Sequence, residues 1–187
     1  MITKRTVLLP IDVQQGFDHP SWGRRNNPDV EANGLALLAA WRKAGLPIVH
    51  VRHDSVTPGS TLAPGHAGNA FKPGFGPQGN EAVVSKSVNS AFIGTDLELR
   101  LRRMDADSVV LFGITTDMCV STTTRMASNL GFRTILVGDA CTSFDQVDAK
   151  GHQITAEEIH RAHLATLNTE FAKVLDTKDI VAATARL

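Results

Sequence analysis

The sequence predicts an α/β protein: a parallel sheet with helices on both of its faces. Three observations predict it. Short β-rich runs alternate with helical patterns along the chain, which is the order of a βαβ protein. Several of those runs are continuously apolar rather than alternating, as strands covered on both faces must be. The chain has 187 residues, 42% of them hydrophobic and 20% charged. That is ordinary for one globular domain, here 1–187, and wrong for a disordered chain. Folding at this length removes about 70% of the unfolded surface from water, so the core needs no disulfide or metal staple.

The elements follow in order. Thr6–Ile11 is an apolar run closed by Asp12 and reads as the first strand. A helix is expected over Val30–Ala44, ended by Gly45-Leu-Pro47 as a C-cap. Pro47–Arg52 is the second strand. Between Thr57 and Asn80, ten of 24 residues are Gly or Pro, so no helix or strand is expected there. A loop of that length inside a compact domain is usually a lid or a pocket wall. Ala82–Lys86 is the third strand. The helix Thr95–Met104 carries Leu97, Leu101 and Met104 on one face. Ser108–Gly113 is the fourth strand, followed by a helix over Asp117–Leu130 that Gly131-Phe132 punctuates. Arg133–Gly138 is the fifth strand. The helix Thr155–Phe171 opens with Thr155-Ala-Glu-Glu158, a capping-box pattern. Ala172–Leu175 and a helix near Lys178–Ala185 complete the chain.

Several function classes fall away on composition. Lys and Arg total 19 against 19 Asp and Glu, so the basic surplus of a general nucleic-acid binder is missing. The N-terminal apolar run is too short for a signal-peptide core, and no window approaches the roughly 18 apolar residues of a membrane span. A cytoplasmic protein is therefore expected. Two cysteines, Cys119 and Cys141, make no disulfide framework. Gly74-Phe-Gly-Pro-Gln-Gly79 matches the dinucleotide fingerprint in letters alone. It lacks the strand before and the helix after that would bring a pyrophosphate to a helix N-terminus. His53, Asp54 and His66 form a conceivable metal set, but histidines near strand ends are more often packing or substrate contacts. No metal and no cofactor are expected.

In an open parallel sheet, ligands bind beyond the carboxyl ends of the strands. Asp12 closes the first strand, Lys86 closes the third, and Cys119 follows the fourth in Gly113-Ile-Thr-Thr-Asp-Met-Cys119. A thiol in the first turn of a helix meets the positive end of the macrodipole, and a nearby ammonium adds to it; both favour the thiolate. Asp12 beside that sulfur supplies a general base and acid. Cys141 lies past the fifth strand on the same side and is expected in the pocket wall.

Four segments together resemble the isochorismatase-like cysteine hydrolases. They are Ile11-Asp12-Val-Gln-Gln-Gly-Phe17; Val84-Ser-Lys86 with Ser90-Ala-Phe92; Gly113-Ile-Thr-Thr-Asp-Met-Cys119-Val120; and Thr122-Thr-Thr with Arg125 and Ala127. The resemblance implies a Rossmann-like three-layer α/β/α sandwich with a mostly parallel central sheet. It also implies a catalytic triad of Asp12, Lys86 and Cys119. The Asp-x-His metal pattern of the nicotinamidases is replaced here by Arg52-His53-Asp54-Ser55. An intact triad favours acyl transfer: cleavage of a small non-peptide amide or ureide C–N bond through a thioester. The alternatives are an isochorismatase-type ether hydrolase and a non-catalytic ligand-binding or scaffold protein. Backbone N–H groups of Thr115 and Cys119 are the expected oxyanion hole, with a cis peptide between Ile114 and Thr115. Phe17, His53, Phe71 and Phe92 are the expected pocket walls. The expected partner is a small-molecule substrate, with no nucleic acid and no membrane, and the expected assembly is a homo-oligomer, dimer or tetramer.

Overall fold

The structure is a computed structural model and describes residues 2–187. Its strands are β1 (Thr6–Ile11), β2 (Val49–His53), β3 (Ala82–Lys86), β4 (Ser108–Ile114), β5 (Arg133–Thr142), β6 (Gln146–Val147), β7 (Gln153–Ile154) and β8 (Lys173–Leu175). Its helices are α1 (Val30–Ala44), α2 (Leu97–Arg103), α3 (Ser121–Asn129), α4 (Ala156–Glu170) and α5 (Thr177–Thr184). Six strands form a parallel sheet in the order β3-β2-β1-β4-β5-β8, and β6 pairs with β7 in a small antiparallel hairpin that the sequence pattern does not announce. Strand order reverses between β1 and β4, which places a ligand crevice at their carboxyl ends. Helices α1 and α5 pack together against β5, and α3 packs on β5 with α4.

Every residue of β1 and β4 is buried, which is why both read as apolar runs after Thr6 and Ser108, whose hydroxyls bond each other at 2.8 Å. A proline in a central strand normally argues against the assignment, because it cannot donate to the ladder. Here Leu8 N–H donates to Pro47 O and Asp12 N–H to Val51 O. Pro10 occupies the donor position between them. The β1–β2 ladder is accordingly reduced to the pairs Leu8 with Ile48 and Ile11 with Val51, while β4 pairs with all six β1 residues.

Strand β5 runs four residues beyond the expected Gly138 end. Two steps along β4, Leu111 to Gly113, are matched by five along β5, Leu136 to Cys141. Side chains hold the surplus residues: Asn27 and Asn33 donate to Asp139 O at 2.7 Å each, and the Asp139 carboxylate caps Thr177 N–H at 2.8 Å. The capping box of α4 forms as its sequence predicts, with Thr155 and Glu158 bonded to each other's backbone N–H.

The Gly/Pro-rich segment is more ordered than its composition predicts. Ala67–Asn69 makes one 3-10 turn, capped by His66 Nδ1 accepting from Gly68 N–H at 2.9 Å, and Phe71 bridges to Gln14. Asn69 Nδ2 ties the segment to His53 O and Leu62 O. Successive backbone turns, from Ser60 N–H to Thr57 O through Asn69 N–H to His66 O, and these side-chain ties hold the segment.

Candidate active site

Asp12 leaves β1 with φ 53°, and its N–H still bonds Val51 O at 2.9 Å. The side chain therefore stands at the carboxyl edge of the sheet beside the end of β4. Lys86 ends β3 and is the register partner of His53, which ends β2. Strand β3 lies two strands from β1, roughly 10 Å away at about 4.8 Å per strand. A lysine stem is long enough to reach over β2 to Asp12. The Lys86 ammonium sits 2.6 Å from Asp12 Oδ2, 2.9 Å from His53 Nδ1 and 3.2 Å from Cys119 Sγ. Both members of the Asp12–Lys86 pair have fully buried side chains. Asp12, His53 and Cys119 bring their ligand atoms within 4.8 Å of one another, and the cation they share is this ammonium.

Cys119 lies on a π turn, Thr116–Val120, in which Val120 N–H reaches back five residues to Thr115 O at 3.1 Å; α3 follows directly. The preceding Ile114–Thr115 peptide is cis, as the resemblance implies. Gly113 stands at φ +139°, and a Cβ there would lie 2.0 Å from Ile11 O. Only glycine lets β4 run this close to β1 at the bend. Asn89 Nδ2 approaches the sulfur at 3.5 Å. The Thr115 N–H has no acceptor among the described residues, and its buried Oγ1 has no partner.

A cavity of about 90 Å³ opens at the sulfur. Phe17, Trp22, Leu62 and Met118 give it apolar walls, and His53, Asn89 and Thr115 complete it. Trp22, His53 and Leu62 also wall an adjoining groove of about 420 Å³ that runs outward along Thr57–Leu62. A larger depression of about 560 Å³ between α1 and α5 contains no acid, thiol or imidazole and offers no comparable chemistry.

Burial pushes the Cys119 thiol up to about 12, reinforced by the Asp12 charge and opposed by Lys86. Desolvation and the adjacent carboxylate therefore act against the thiolate that the helix terminus and Lys86 favour. Burial also raises Asp12 above the usual carboxylate range against the pull of Lys86, which makes it a better proton acceptor. Burial and Lys86 depress His53 from 6.5 to about 4. Between those two values the unfolded chain binds a proton that the native ring refuses, so stability should fall as pH is lowered from 6.5 to 4. Asp12, with its raised value, acts in the opposite direction. Comparing urea midpoints of the native protein and His53→Gln between pH 6.5 and 4 isolates the histidine: the native slope should be the steeper. Equal slopes would remove the neutral imidazole from this description.

Asp12, Lys86, Cys119, Thr115, Phe17 and His53 converge as expected. Phe71 and Phe92 do not line the cavity: Phe71 packs edge-on against His50, and Phe92 stacks on Phe132. Cys141 is not a wall either. It is completely buried in β5, its thiol donates to Val137 O at 3.2 Å, and burial pushes it up to about 12. The bulge of β5 turns it into the core. The set His53, Asp54 and His66 is not assembled, since Asp54 pairs with Arg52 and His66 caps its own turn. Sequence reasoning missed Trp22, Leu62, Asn89 and Met118. Only Met118, beside the cysteine, had a local signal.

Fold and site together describe a doubly wound α/β protein with a thiol at its topological switch point. The model of the isochorismatase domain matches residues 6–179. The uncharacterized isochorismatase family protein YrdC of Bacillus subtilis is 41% identical over 178 residues, 95% of each chain. A solved structure from Chromobacterium violaceum, assigned to the same family, superposes with a TM-score of 0.95 at 45% identity, covering 100% of this chain and 97% of that one. Relatives include amidohydrolases. One of them, the maleamate amidohydrolase of Pseudomonas putida, is 29% identical over 195 residues, 94% of this chain and 85% of that one. The chain belongs to the isochorismatase family of hydrolases.

Proposed function

We propose that this hydrolase cleaves the C–N bond of a small amide or ureide through a thioester on Cys119. One observation carries the reading: the Lys86 ammonium contacts Asp12 and Cys119 at once, beside a cavity that the sulfur itself lines. Asp12 takes the thiol proton as sulfur attacks the carbonyl carbon, so no free thiolate need persist at rest. The carbonyl electron pair moves to oxygen, where the N–H groups of Thr115 and Cys119 receive it as an oxyanion hole. When the C–N bond breaks, Asp12 returns the proton to the leaving nitrogen. Water then enters, Asp12 takes its proton, and hydroxide attacks the thioester. Cleavage of the C–S bond releases the acid and returns a proton to sulfur. Throughout, Lys86 fixes the Asp12 carboxylate and balances the negative charge that moves between oxygen and sulfur.

The test is a panel of small amides and ureides, followed by ammonia release and by intact-protein mass spectrometry after acid quench. An acyl adduct that maps to Cys119 and decays on further incubation is expected. Turnover of a vinyl ether that survives loss of the thiol would favour ether hydrolysis instead.

A further inference from the structure

We infer that the part of the substrate seated beside the sulfur is uncharged: an apolar or amide-bearing acyl group of a few heavy atoms, not one that carries a carboxylate. This rests on the amidohydrolase reading and narrows its substrate class. An ammonium has three N–H donors. Those of Lys86 face Asp12, His53 and Cys119 at 2.6, 2.9 and 3.2 Å, which leaves none for a substrate anion. Phe17, Trp22, Leu62 and Met118 contribute no charge to the walls, and Asn89 and Thr115 are neutral. The outward groove is lined by hydroxyls such as Ser55, Thr57 and Ser60, with no acidic, lysine or arginine side chain. The nearby guanidinium of Arg52 is already paired with Asp54 at 2.9 Å.

A carboxylate entering this cavity would shed its hydration and meet no cation with a free donor, which is strongly unfavourable. A free ammonium would fare no better, because Asp12 is already neutralised by Lys86. Neutral polar groups do have a partner. Lys86 can only donate, so His53 Nδ1 accepts, and the neutral ring keeps its proton on Nε2 as a donor. A cavity of about 90 Å³ has room for a short acyl chain with one such acceptor. The substrate named for the maleamate amidohydrolase carries a carboxylate, so the two proteins should divide on charge.

Three amides of near-equal shape test this: malonamide, 3-methylbutanamide and malonamate, of which only the last is anionic at neutral pH. For the wild-type protein at fixed ionic strength, kcat/KM for malonamide should exceed that for malonamate by roughly 100-fold, as expected for an uncompensated buried charge. Met118, at 41% exposure on the cavity wall, offers a place for a cation at little structural cost. Met118→Arg should shrink the ratio by about tenfold or more. Malonamate hydrolysed as well as malonamide, or a ratio unmoved by Met118→Arg, would overturn the inference while leaving amide hydrolysis intact. If none of the three is hydrolysed, the amidohydrolase reading fails for them. Calorimetric binding to Cys119→Ala then judges the pocket alone: malonamide binding more tightly supports the inference, and equal or tighter malonamate binding overturns it.

Discussion

Cys119→Ala is expected to lower amide hydrolysis by at least about 10⁴-fold, because loss of a nucleophile removes the whole acyl-transfer route and not one contact within it. The fold should remain. The residue is small, lies at the cavity and is already slightly exposed, so the lost packing is about 1 kcal/mol. Cys141→Ala reverses the pattern. That thiol is entirely inside β5, bonded to Val137 O at 3.2 Å, so its removal should cost about 1–2 kcal/mol of stability and leave turnover within a few-fold. Initial rates and urea midpoints on both variants decide the matter. Similar activity losses for the two would withdraw the assignment of the nucleophile.

Lys86→Met is expected to damage both stability and activity. It strands the buried Asp12 carboxylate, and breaking a buried pair by removing one partner typically costs about 3–5 kcal/mol. The loss should depend on pH in a defined direction. Without Lys86, burial raises Asp12 still further above its ordinary value. A raised acid contributes its stability while protonated and loses it as pH rises through the folded pKa, so the variant should recover toward acid pH. Asp12→Asn added to Lys86→Met removes the stranded charge, and the double variant should be more stable at neutral pH than Lys86→Met alone. Hydrolysis should fall by at least about 10³-fold in the single variant, since the proton acceptor for the thiol is no longer held in place. Equal stability of single and double variants across pH would mean that the pair is not coupled as the 2.6 Å contact implies.

Much of this was legible in the chain itself. Strands β1 and β4 are buried on both faces, so apart from the hydrogen-bonded Thr6 and Ser108 at their starts the residues are apolar and the runs stood out. The caps at Gly45 and Thr155 are local chemistry within one helical turn. Asp12, Lys86 and Cys119 were visible because strand ends are visible, and the parallel order carries every strand end to the same edge. The carboxyl end of β5, by contrast, lies beyond the expected Gly138, because Asn27, Asn33 and Thr177 hold its extra residues from distant parts of the sequence.

What the sequence determined, then, is whatever rests on neighbours a few residues apart: the strand and helix order, the parallel sheet, and which reactive side chains stand at its carboxyl edge. Tertiary structure alone decided how those side chains meet. Lys86 bonding three partners across β2, Trp22 and Leu62 closing a cavity over Cys119, and Cys141 turning inward all depend on segments tens of residues apart. The protonation of the site was decided there too. A residue's type fixes its ordinary pKa, but desolvation and the distance to the next charge fix the direction in which the fold moves it. At Cys119 burial and the Asp12 charge push the thiol up where the sequence motif alone pointed down.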